Sequence, residues 1–555
     1  MMTNVMKKMM TVAAAVLVAV SVSGQSFETA AEAVKHMGVG WNLGNTLDAH
    51  GSGQHQGLDS EIYWGQPYTK PELMTMLKAA GFGAMRIPVT WYNHMNAQNQ
   101  VDAAWMARVK QVVDYVLDAG MYCILNVHHD TGAGNTHWLH ASMDTYNSTK
   151  ARYEALWQQV AETFKDYDQR LLFESYNEML DRYNSWNFAT FNRPGGYDSA
   201  DAADAYQAIN SFAQSFVNTV RATGGNNAQR NLIVNTYAAS CGSGNWNSHL
   251  TDPLVNLNYP DDTATGHIAF EIHAYPNIEN LANAKSEVDQ IISRATAHLV
   301  AKGAPVIIGE WGTSNVDSGA GKTDYDTRRD DLFAFVDYMV QKTKENGIGT
   351  FFWMGLSDGI YRSEPAFNQP DLAERIAKAY HGDSFQGVYP TISGKSSILI
   401  FEGEKALGWG DGISINGGQF QTAGNGVQLE LTYNVTAGGA DIQFYYGDWS
   451  VKPTFNVGGV SYFGDYGPAN TGSSQTTVIT FSQDVYNTLC QKGLIVHGQG
   501  VTLTKVELVN PTVASVLTPN VDTRAVGRTF DLTGREVIRP QRGIYIRDGK
   551  KFVVR

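Results

Sequence analysis

The chain has 555 residues, which is enough for two or three domains, and its 43% hydrophobic and 17% charged residues are those of an ordinary globular protein. The net charge of −13 argues against nucleic acid as a partner, because a phosphate-binding surface needs a basic stripe. Three cysteines do not suggest a disulfide framework, so the hydrophobic core must hold the fold.

Residues 1–24 have the pattern of a secretory signal peptide. Lys7 and Lys8 form a short basic region, and an apolar stretch and then small residues up to Gly24 follow it. The stretch is too short to span a bilayer, and we predict no membrane-spanning segment in the rest of the chain. These features predict a protein that is secreted or held at the cell surface.

The region 25–385 is predicted to be one domain in which eight apolar segments alternate with helices. The helices predicted over 102–119 and 330–346 carry apolar residues at the spacing of an amphipathic helix. Strands that alternate with helices indicate parallel pairing, and a count of eight favours a closed (β/α)8 barrel over an open doubly wound sheet. The predicted strands are VGWNLGNT, GFGAMRIPV, MYCILNVHH, LLFESYNE, NLIVNTY, HIAFEIHAY, PVIIGEW and GTFFWMG.

The pattern changes near residue 385. Residues 395–510 contain short segments of alternating hydrophobicity between Gly, Asn and Asp turns, which predicts an all-β sandwich or jelly roll. Residues 516–555 form a basic tail in which Asp548-Gly549 indicates a hairpin. We expect this tail to be a docking or sorting segment, and a small stabilising hairpin is the alternative.

In a (β/α)8 barrel the C-terminal strand ends open onto one face, where function is expected. Glu178 and Glu310 stand at the ends of the fourth and seventh predicted strands, so they could face each other there. Two carboxyl groups about 5 Å apart are the apparatus of a retaining glycosidase. At an effective dielectric of ~20 two such charges repel by about 3 kcal/mol, which favours one protonated and one ionised carboxyl group.

Other polar and aromatic residues occupy the predicted strand ends. Arg86 and Tyr275 are candidates to hold Glu310 as the ionised carboxylate, which leaves Glu178 as the acid. Glu174 lies earlier on the fourth strand, and alternation directs it away from the mouth, so we expect a salt-bridged structural role. The remaining strand-end residues are Asn45, His128, His129, Asn177, Tyr237, His273 and Trp353.

A metal-dependent hydrolase is an alternative for the same face. His128, His129 and His273 could hold its metal ion, but the first strand ends in Asn and Thr without the paired histidines that such a site requires. A glycan-binding protein with an inactive barrel is a second alternative, from a different functional class.

Seven of the twelve tryptophans follow or close a predicted barrel strand. The apolar C–H faces of sugar rings lie flat on indole, so a row of tryptophans suits an extended glycan, although each one is individually explained by packing as well. Trp353 is the strongest candidate for a sugar platform. The seven residues are Trp64, Trp91, Trp138, Trp186, Trp246, Trp311 and Trp353.

Together these segments resemble the glycoside hydrolase family 5 endoglucanases (cellulases), retaining (β/α)8 enzymes. The resemblance spans about residues 36–360 and rests on GWNLGNTLDA, WGQPYTKPELM, GFGAMRIPVTW, ILNVHHD, LLFESYNEM, FEIHAY, VIIGEWG and FFWMG. It implies Glu178 as acid/base, Glu310 as nucleophile and Asn177 as the partner of the sugar 2-hydroxyl. It also implies a site around the cleaved sugar formed by Arg86, His128, His273, Tyr275 and Trp353, to which we add Asn45 and His129 as further substrate-binding candidates.

One departure from the family pattern concerns the loop after the fourth strand. The family commonly has proline after the Asn-Glu pair, whereas Met179 follows Glu178 here. This departure leaves the chemistry intact and puts the substrate subsites near that loop in doubt.

The second domain is similar to β-sandwich modules appended to glycoside hydrolases of Bacteroidetes-type bacteria, through FEGEKALGWGDGISI and FYYGDWS. Carbohydrate binding with Trp409 or Trp449 as platforms is the functional interpretation, and packing is the alternative. The tail FDLTGREV…GIYIRDGKKFVVR looks like the C-terminal segments of secreted proteins of such bacteria.

The expected function is that of a secreted, retaining endo-β-1,4-glucanase that acts on cellulose or β-glucan as a monomer. The resemblance implies that it uses no metal and no organic cofactor. The same mechanism on xyloglucan, mixed-linkage glucan, xylan or mannan is the alternative.

Overall fold

The structure is a computed structural model. None of the helices that it describes reaches the length and hydropathy of a membrane-crossing segment. The described residues are 26–51, 57–133, 137–186, 195–245, 248–318, 322–392, 396–467, 474–510, 529–531, 543–547 and 550–554. The predicted signal peptide lies outside them.

Eight parallel strands close into a barrel, which confirms the predicted (β/α)8 fold. Each strand pairs with the next one along the chain, and β8 pairs with β1 to close the ring. The strands are almost entirely buried, as expected where helices cover the outside and side chains fill the inside. They are β1 (Val39–Asn42), β2 (Ala84–Ile87), β3 (Tyr122–Asn126), β4 (Leu171–Glu174), β5 (Leu232–Asn235), β6 (Ile268–Ala274), β7 (Val306–Trp311) and β8 (Gly349–Phe352).

The barrel helices follow the predicted amphipathic pattern. The predictions over 102–119 and 330–346 correspond to Ala103–Asp118 and Arg329–Glu345. The first begins where the Asp102 side chain accepts a hydrogen bond from the Trp105 amide. In the first part of the chain the α-helices are α1 (Ala30–Met37), α2 (Pro71–Ala79), α3 (Ala103–Asp118), α4 (Met143–Thr163), α5 (Ser199–Ala222), α6 (Asp252–Asn256), α7 (Leu281–His298), α8 (Asp324–Thr327), α9 (Arg329–Glu345), α10 (Ile360–Ser363) and α11 (Pro370–His381).

Single 3₁₀ turns occur in the connections between these elements. They are Leu58–Ile62, Tyr92–His94, Gly225–Ala228, Tyr237–Ala239 and Val300–Lys302.

Two antiparallel sheets follow the barrel, as predicted for 395–510. A six-stranded sheet has the order β14-β13-β16-β11-β18-β9, a four-stranded sheet has the order β10-β17-β12-β15, and one hydrophobic cluster contains residues of both. The strands are β9 (Ser396–Ala406), β10 (Ile413–Ile415), β11 (Gln428–Val435), β12 (Asp441–Tyr446), β13 (Thr454–Val457), β14 (Val460–Phe463), β15 (Asp465–Tyr466), β16 (Ser474–Thr480), β17 (Leu494–Gln499) and β18 (Val501–Asn510).

The sandwich also contains two helices that the sequence reasoning missed, α12 (Gly417–Ala423) and α13 (Gln483–Lys492). In the tail, strands β19 (Thr529–Asp531), β20 (Gly543–Arg547) and β21 (Lys550–Val554) form a three-stranded antiparallel sheet. Arg547 pairs with Lys550, so the predicted hairpin is confirmed, while Asp548-Gly549 themselves lie outside the described residues.

The barrel and the sandwich contact each other beside the barrel mouth. Ile360 of α10 belongs to the sandwich's hydrophobic cluster, and Asn416 Nδ2 donates a hydrogen bond of 2.9 Å to the Tyr63 carbonyl. Gly359 lies so close to Thr422 of α12 that an added Cβ would be 1.3 Å from its Cγ2. A cavity of about 400 Å³ lies at this junction and reaches Asn45 on the barrel side.

Candidate active site

Glu178 and Glu310 face each other at the barrel mouth. Glu178 follows β4, Glu310 lies on β7, and an oxygen of each lies within 4.8 Å of the other and of a His273 ring nitrogen. His273 Nδ1 is 2.8 Å from Glu178 Oε1 and 3.5 Å from Glu310 Oε2. A separation of this size suits direct attack of a carboxylate on a sugar carbon. In inverting enzymes, where a water molecule attacks instead, the two carboxyl groups are about 6.5–9.5 Å apart.

Arg86 lies at the centre of this arrangement, fully buried, with a hydrogen bond for each of its five N–H groups. Nε and Nη2 donate to the two Glu174 oxygens at 2.7 and 2.8 Å. Nη1 donates to Glu310 Oε1 at 2.8 Å and to Asn42 Oδ1 at 3.1 Å, and Nη2 also donates to Asn177 Oδ1 at 2.8 Å. Burial alone would lower the pKa of Arg86, but the surrounding carboxylates, Glu174 foremost, raise it above its ordinary value.

The predicted partners of Glu310 are therefore in contact with it. Besides the bond from Arg86, the Tyr275 hydroxyl donates to Glu310 Oε2 at 2.7 Å. Burial and the neighbouring Glu310 raise the pKa of Tyr275 above its ordinary value, so the phenol remains a donor. Both oxygens of Glu310 are thus held.

Glu174 has the salt-bridged role that was predicted, and it lies in the barrel interior beneath the site. A second interior carboxyl group, Glu271 on β6, is 3.3 Å from Arg86 Nε and 3.2 Å from His273 Nε2. Burial and the adjacent Glu174 raise the pKa of Glu271 to about 8. Only glycine fits at position 309, because an added Cβ would be 1.6 Å from Glu271 Oε1.

His273 is surrounded by three carboxyl groups. Burial alone would lower its pKa, but Glu310 and the hydrogen bonds to Glu178 and Glu271 raise it to about 10. The imidazolium therefore joins the two carboxyl groups at the mouth to the interior one.

His128 and Trp353 form another wall of the site. Their rings are parallel, with centroids 5.9 Å apart and planes 6° apart. His128 Nε2 is 3.9 Å from Glu310 Oε1, and Asn126 Nδ2 lies 3.0 Å from His128 Nδ1. Burial, with help from His129 and Arg86, lowers the pKa of His128 well below its ordinary value, so this ring is neutral.

Asn45 and His129 lie at the mouth but outside the Arg86 network. Asn45 has a left-handed backbone, its amide donates to Asp48 Oδ2, and it lines the cavity at the sandwich junction. His129 Nε2 is 3.6 Å from Asp48 Oδ2, and its ring contacts those of His128 and Trp64.

The three histidines of the metal-hydrolase alternative do not converge on one point. Among the described residues, His128 and His129 group with Asp48, whereas His273 groups with Glu178 and Glu310. A further group, formed by His50, His129 and His137, lies on the loops outside Glu178 and Glu310.

Several of the strand-end aromatic residues are packing residues and not sugar platforms. Trp91, Trp311 and Tyr237 are fully buried. Their indole and phenol groups lie in the core, where Trp91 Nε1 donates to the Asn126 carbonyl. Trp186 is 48% exposed, whereas Trp246 lies outside the described residues.

The polar residues that line the barrel beneath the site, here called the polar floor, were not predicted from the sequence. The predicted site residues lie two or three positions further along the chain, whereas Asn42, Asn126 and Asn235 are the last residues of their strands and Glu271 lies within β6. A usable signal was present, because each is a polar residue that closes or interrupts an apolar strand. The missed residues are Asn42, Asn126, Asn235 and Glu271.

A (β/α)8 barrel with two opposed carboxyl groups at its C-terminal face defines the class of retaining glycoside hydrolase barrels. The comparisons agree with this class. The chain matches the family model "Cellulase (glycosyl hydrolase family 5)" over residues 46–358, and it belongs to that family.

Two solved structures and one curated relative show how far the similarity extends. A GH5-4 broad specificity endoglucanase from an uncultured bacterium is 57% identical with a TM-score of 0.63, covering 65% of this chain and 98% of that one. PbGH5A from Prevotella bryantii, solved with a xyloglucan tetradecasaccharide, is 40% identical with a TM-score of 0.56, covering 64% and 99%. Cellulase/esterase CelE of Acetivibrio thermocellus is 32% identical over 66% of this chain, and the match spans only 41% of that relative.

Proposed function

We propose that this chain is an endo-β-1,4-glucanase that hydrolyses internal glucosidic bonds of cellulose and related β-glucans with retention of anomeric configuration. The observation that carries the proposal is the pair of carboxyl groups within 4.8 Å, one of which is held by Arg86 and Tyr275. Membership of family 5 and the endoglucanases among its relatives support the substrate class.

The first step forms a covalent glycosyl-enzyme. Glu310 attacks the anomeric carbon, the bond to the leaving-group oxygen breaks, and Glu178 transfers its proton to that oxygen. In the second step Glu178, now ionised, removes a proton from a water molecule that attacks the same carbon and releases Glu310. The proton balance closes, since Glu178 is protonated again at the end and no cofactor is required.

The neighbours of the two glutamates prepare these roles. Arg86 donates to one oxygen of Glu310 and Tyr275 donates to the other, which fixes the carboxyl group in position for attack on the sugar. His273 bonds to Glu178 and so fixes the position of the acid/base group relative to the nucleophile. Positioning of this kind matters because a misplacement of about 1 Å can reduce the rate about 100-fold.

The rest of the site is suited to holding the sugar around the cleaved bond. Arg86 donates to Asn177 Oδ1, which directs the NH₂ group of this amide away from Arg86 and leaves it as a donor for the sugar 2-hydroxyl. Trp353, stacked against His128, supplies an apolar face for a sugar ring. Asn45 and His129 lie farther out, where neighbouring sugars of a chain would bind.

The preferred polymer is tested by a substrate panel. Equal amounts of enzyme act on carboxymethyl cellulose, mixed-linkage glucan, xyloglucan, xylan and mannan, and new reducing ends are measured with and without a chelator. We expect chelator-resistant cleavage of the β-glucans. Xyloglucan is the second candidate because PbGH5A was solved with this glycan.

Three outcomes of the panel would overturn the proposal. Cleavage of mannan but of no glucan would contradict the substrate class. Retention on a polymer gel without new reducing ends would indicate an inactive glycan-binding barrel, and loss of all activity in chelator would favour the metal hydrolase.

The β-sandwich is proposed to bind glycan through one aromatic cluster. Trp409 and Trp449 are 51% and 50% exposed, and each has its ring centroid 5.3 Å from that of His497. Tyr445 contacts both Trp449 and His497, and Trp409 Nε1 donates to Gln499 Oε1. Affinity electrophoresis in β-glucan gels tests this role: the double variant Trp409→Ala/Trp449→Ala should be retarded less than the unchanged protein, the barrel accounting for the rest, and unchanged retardation would contradict it.

Export and a monomeric state complete the proposal. The basic and apolar pattern of residues 1–24 supports cleavage by a signal peptidase, and the basic tail after 516 supports sorting to the cell surface. N-terminal sequencing of the mature protein from culture medium or cell envelope should begin near residue 25. Light scattering on a size-exclusion column should give a mass of one chain.

A further inference from the structure

His50, His129 and His137 form a histidine cluster on two loops of the barrel face. His50 follows β1, and the other two follow β3. One ring nitrogen of each lies within 4.8 Å of those of the other two, and all three side chains are partly exposed. Three neighbouring imidazoles with access to solvent are the ligand set of many zinc sites.

The surroundings hold the rings of His50 and His129 in place. The Trp64 ring contacts both of these rings, at centroid distances of 5.1 and 5.2 Å, and its Nε1 donates to the His50 carbonyl at 3.0 Å. The buried Asp48 carboxylate lies 3.6 Å from His129 Nε2. A carboxylate next to a histidine is the usual device that orients a metal-binding ring.

His137 also has a ring nitrogen that is available to a ligand, because a neutral imidazole has one lone pair to offer a cation. Within the described part of the chain, His137 Nδ1 is buried without a hydrogen-bond partner.

We propose that His50, His129 and His137 bind a divalent transition metal ion of the zinc class. Tetrahedral coordination at about 2.0–2.1 Å sets ligand nitrogens about 3.4 Å apart, so the rings close in by small side-chain rotations. A fourth position remains for a water molecule or a substrate hydroxyl. The ion would link the loop after β1 to the loop after β3. It would lie close to the reacting groups, because only the His128 ring separates His129 from Glu310.

The test uses the full-length protein without a histidine tag, stripped with a chelator and then dialysed. Titration with Zn²⁺ by calorimetry and with Co²⁺ by visible absorbance should each show one equivalent, with the absorption bands of tetrahedral Co²⁺. His50→Ala and His137→Ala should each weaken Zn²⁺ binding at least about 10-fold. His140→Ala, on the same loop but outside the cluster, is the matched control and should bind like the unchanged protein.

A thermal readout complements the titration, because an ion that binds only the folded state raises the melting temperature. Zn²⁺ should raise it by several degrees in the unchanged protein and in His140→Ala, but not in His137→Ala. Absence of stoichiometric binding would overturn the proposal. It would equally be overturned if binding persisted in both cluster variants and disappeared in Glu178→Gln, because the ion would then lie between the catalytic carboxylates.

Discussion

Replacing Arg86 with lysine tests the hydrogen-bond network that positions Glu310, the proposed nucleophile. The guanidinium makes five side-chain hydrogen bonds, to Glu174 (two), Glu310, Asn177 and Asn42, whereas lysine has only three N–H donors. At least two buried acceptors therefore lose a charged hydrogen bond worth about 1.5–3 kcal/mol each, which predicts a loss of about 3–6 kcal/mol in the free energy of unfolding. Since Glu310 and Asn177 both depend on Arg86, kcat/KM should also fall about 100-fold.

The assay is guanidinium unfolding followed by tryptophan fluorescence, which reports on the barrel because ten of the twelve tryptophans precede residue 386. Arg375→Lys is the matched control. Arg375 forms an ion pair with Asp337 at the surface, where its side chain is 44% exposed, so the same substitution should cost less than about 1 kcal/mol. If Arg86→Lys changed stability and kcat/KM no more than Arg375→Lys does, the reasoning about the buried network would be refuted.

Three further predictions concern the acid, the interior carboxyl group and the sugar platform. Glu178→Ala should retain activity on aryl glycosides with good leaving groups, lose it on polymer and regain part of it with azide; equal losses on both substrates would contradict the acid role. Folding raises the pKa of Glu271 from 4.5 to about 8, so between these pH values the folded state binds a proton that the unfolded state has lost. The free energy of unfolding therefore falls as the pH rises from 4.5 to about 8. In Glu271→Gln the melting temperature should therefore depend less on pH between these two values. An unchanged pH dependence would contradict this assignment. Trp353→Ala should lower kcat/KM on cello-oligosaccharides about 10-fold because the sugar loses its stacking partner. An unchanged kcat/KM would contradict the role of Trp353 as a sugar platform.

The barrel could be predicted from the sequence because its strands are buried on both faces and its helices on one. Continuous apolar runs and the 3.6-residue period are direct consequences of that burial, and both are visible without coordinates. The convergence of Glu178 and Glu310 followed from a general property of the fold, namely that all parallel strands end on the same face.

The polar floor of the barrel was harder to predict because its residues are only interpretable in three dimensions. The sequence shows Glu271 as a single acidic residue in an apolar strand, and nothing near it indicates that Arg86 and His273 lie beside it. Nor does it indicate that the absence of a side chain at Gly309 makes room for the Glu271 carboxyl group. The buried Trp91 shows the converse problem, since a tryptophan after a strand has the same local sequence whether it packs inside or lines a cleft.

The two sandwich helices were missed for a local reason. α12 begins with two glycines, which are poor helix formers, and is only seven residues long. Its capping box, in which Asn416 and Gln419 bond to each other's backbone amides, was the signal that could have revealed it. The histidine cluster joins two loops that are far apart in sequence, so nothing in the local pattern brings His50 next to His137.

Identification of the residue that becomes covalently bound to sugar tests the account most directly. A cellobioside with fluorine in place of the 2-hydroxyl and a good leaving group slows hydrolysis of the glycosyl-enzyme, so that the intermediate accumulates. Peptide mapping by mass spectrometry should then find the sugar on Glu310 and on no other residue. A label on Glu178 or elsewhere, or an active enzyme that never forms an adduct and releases the inverted anomer, would contradict the account.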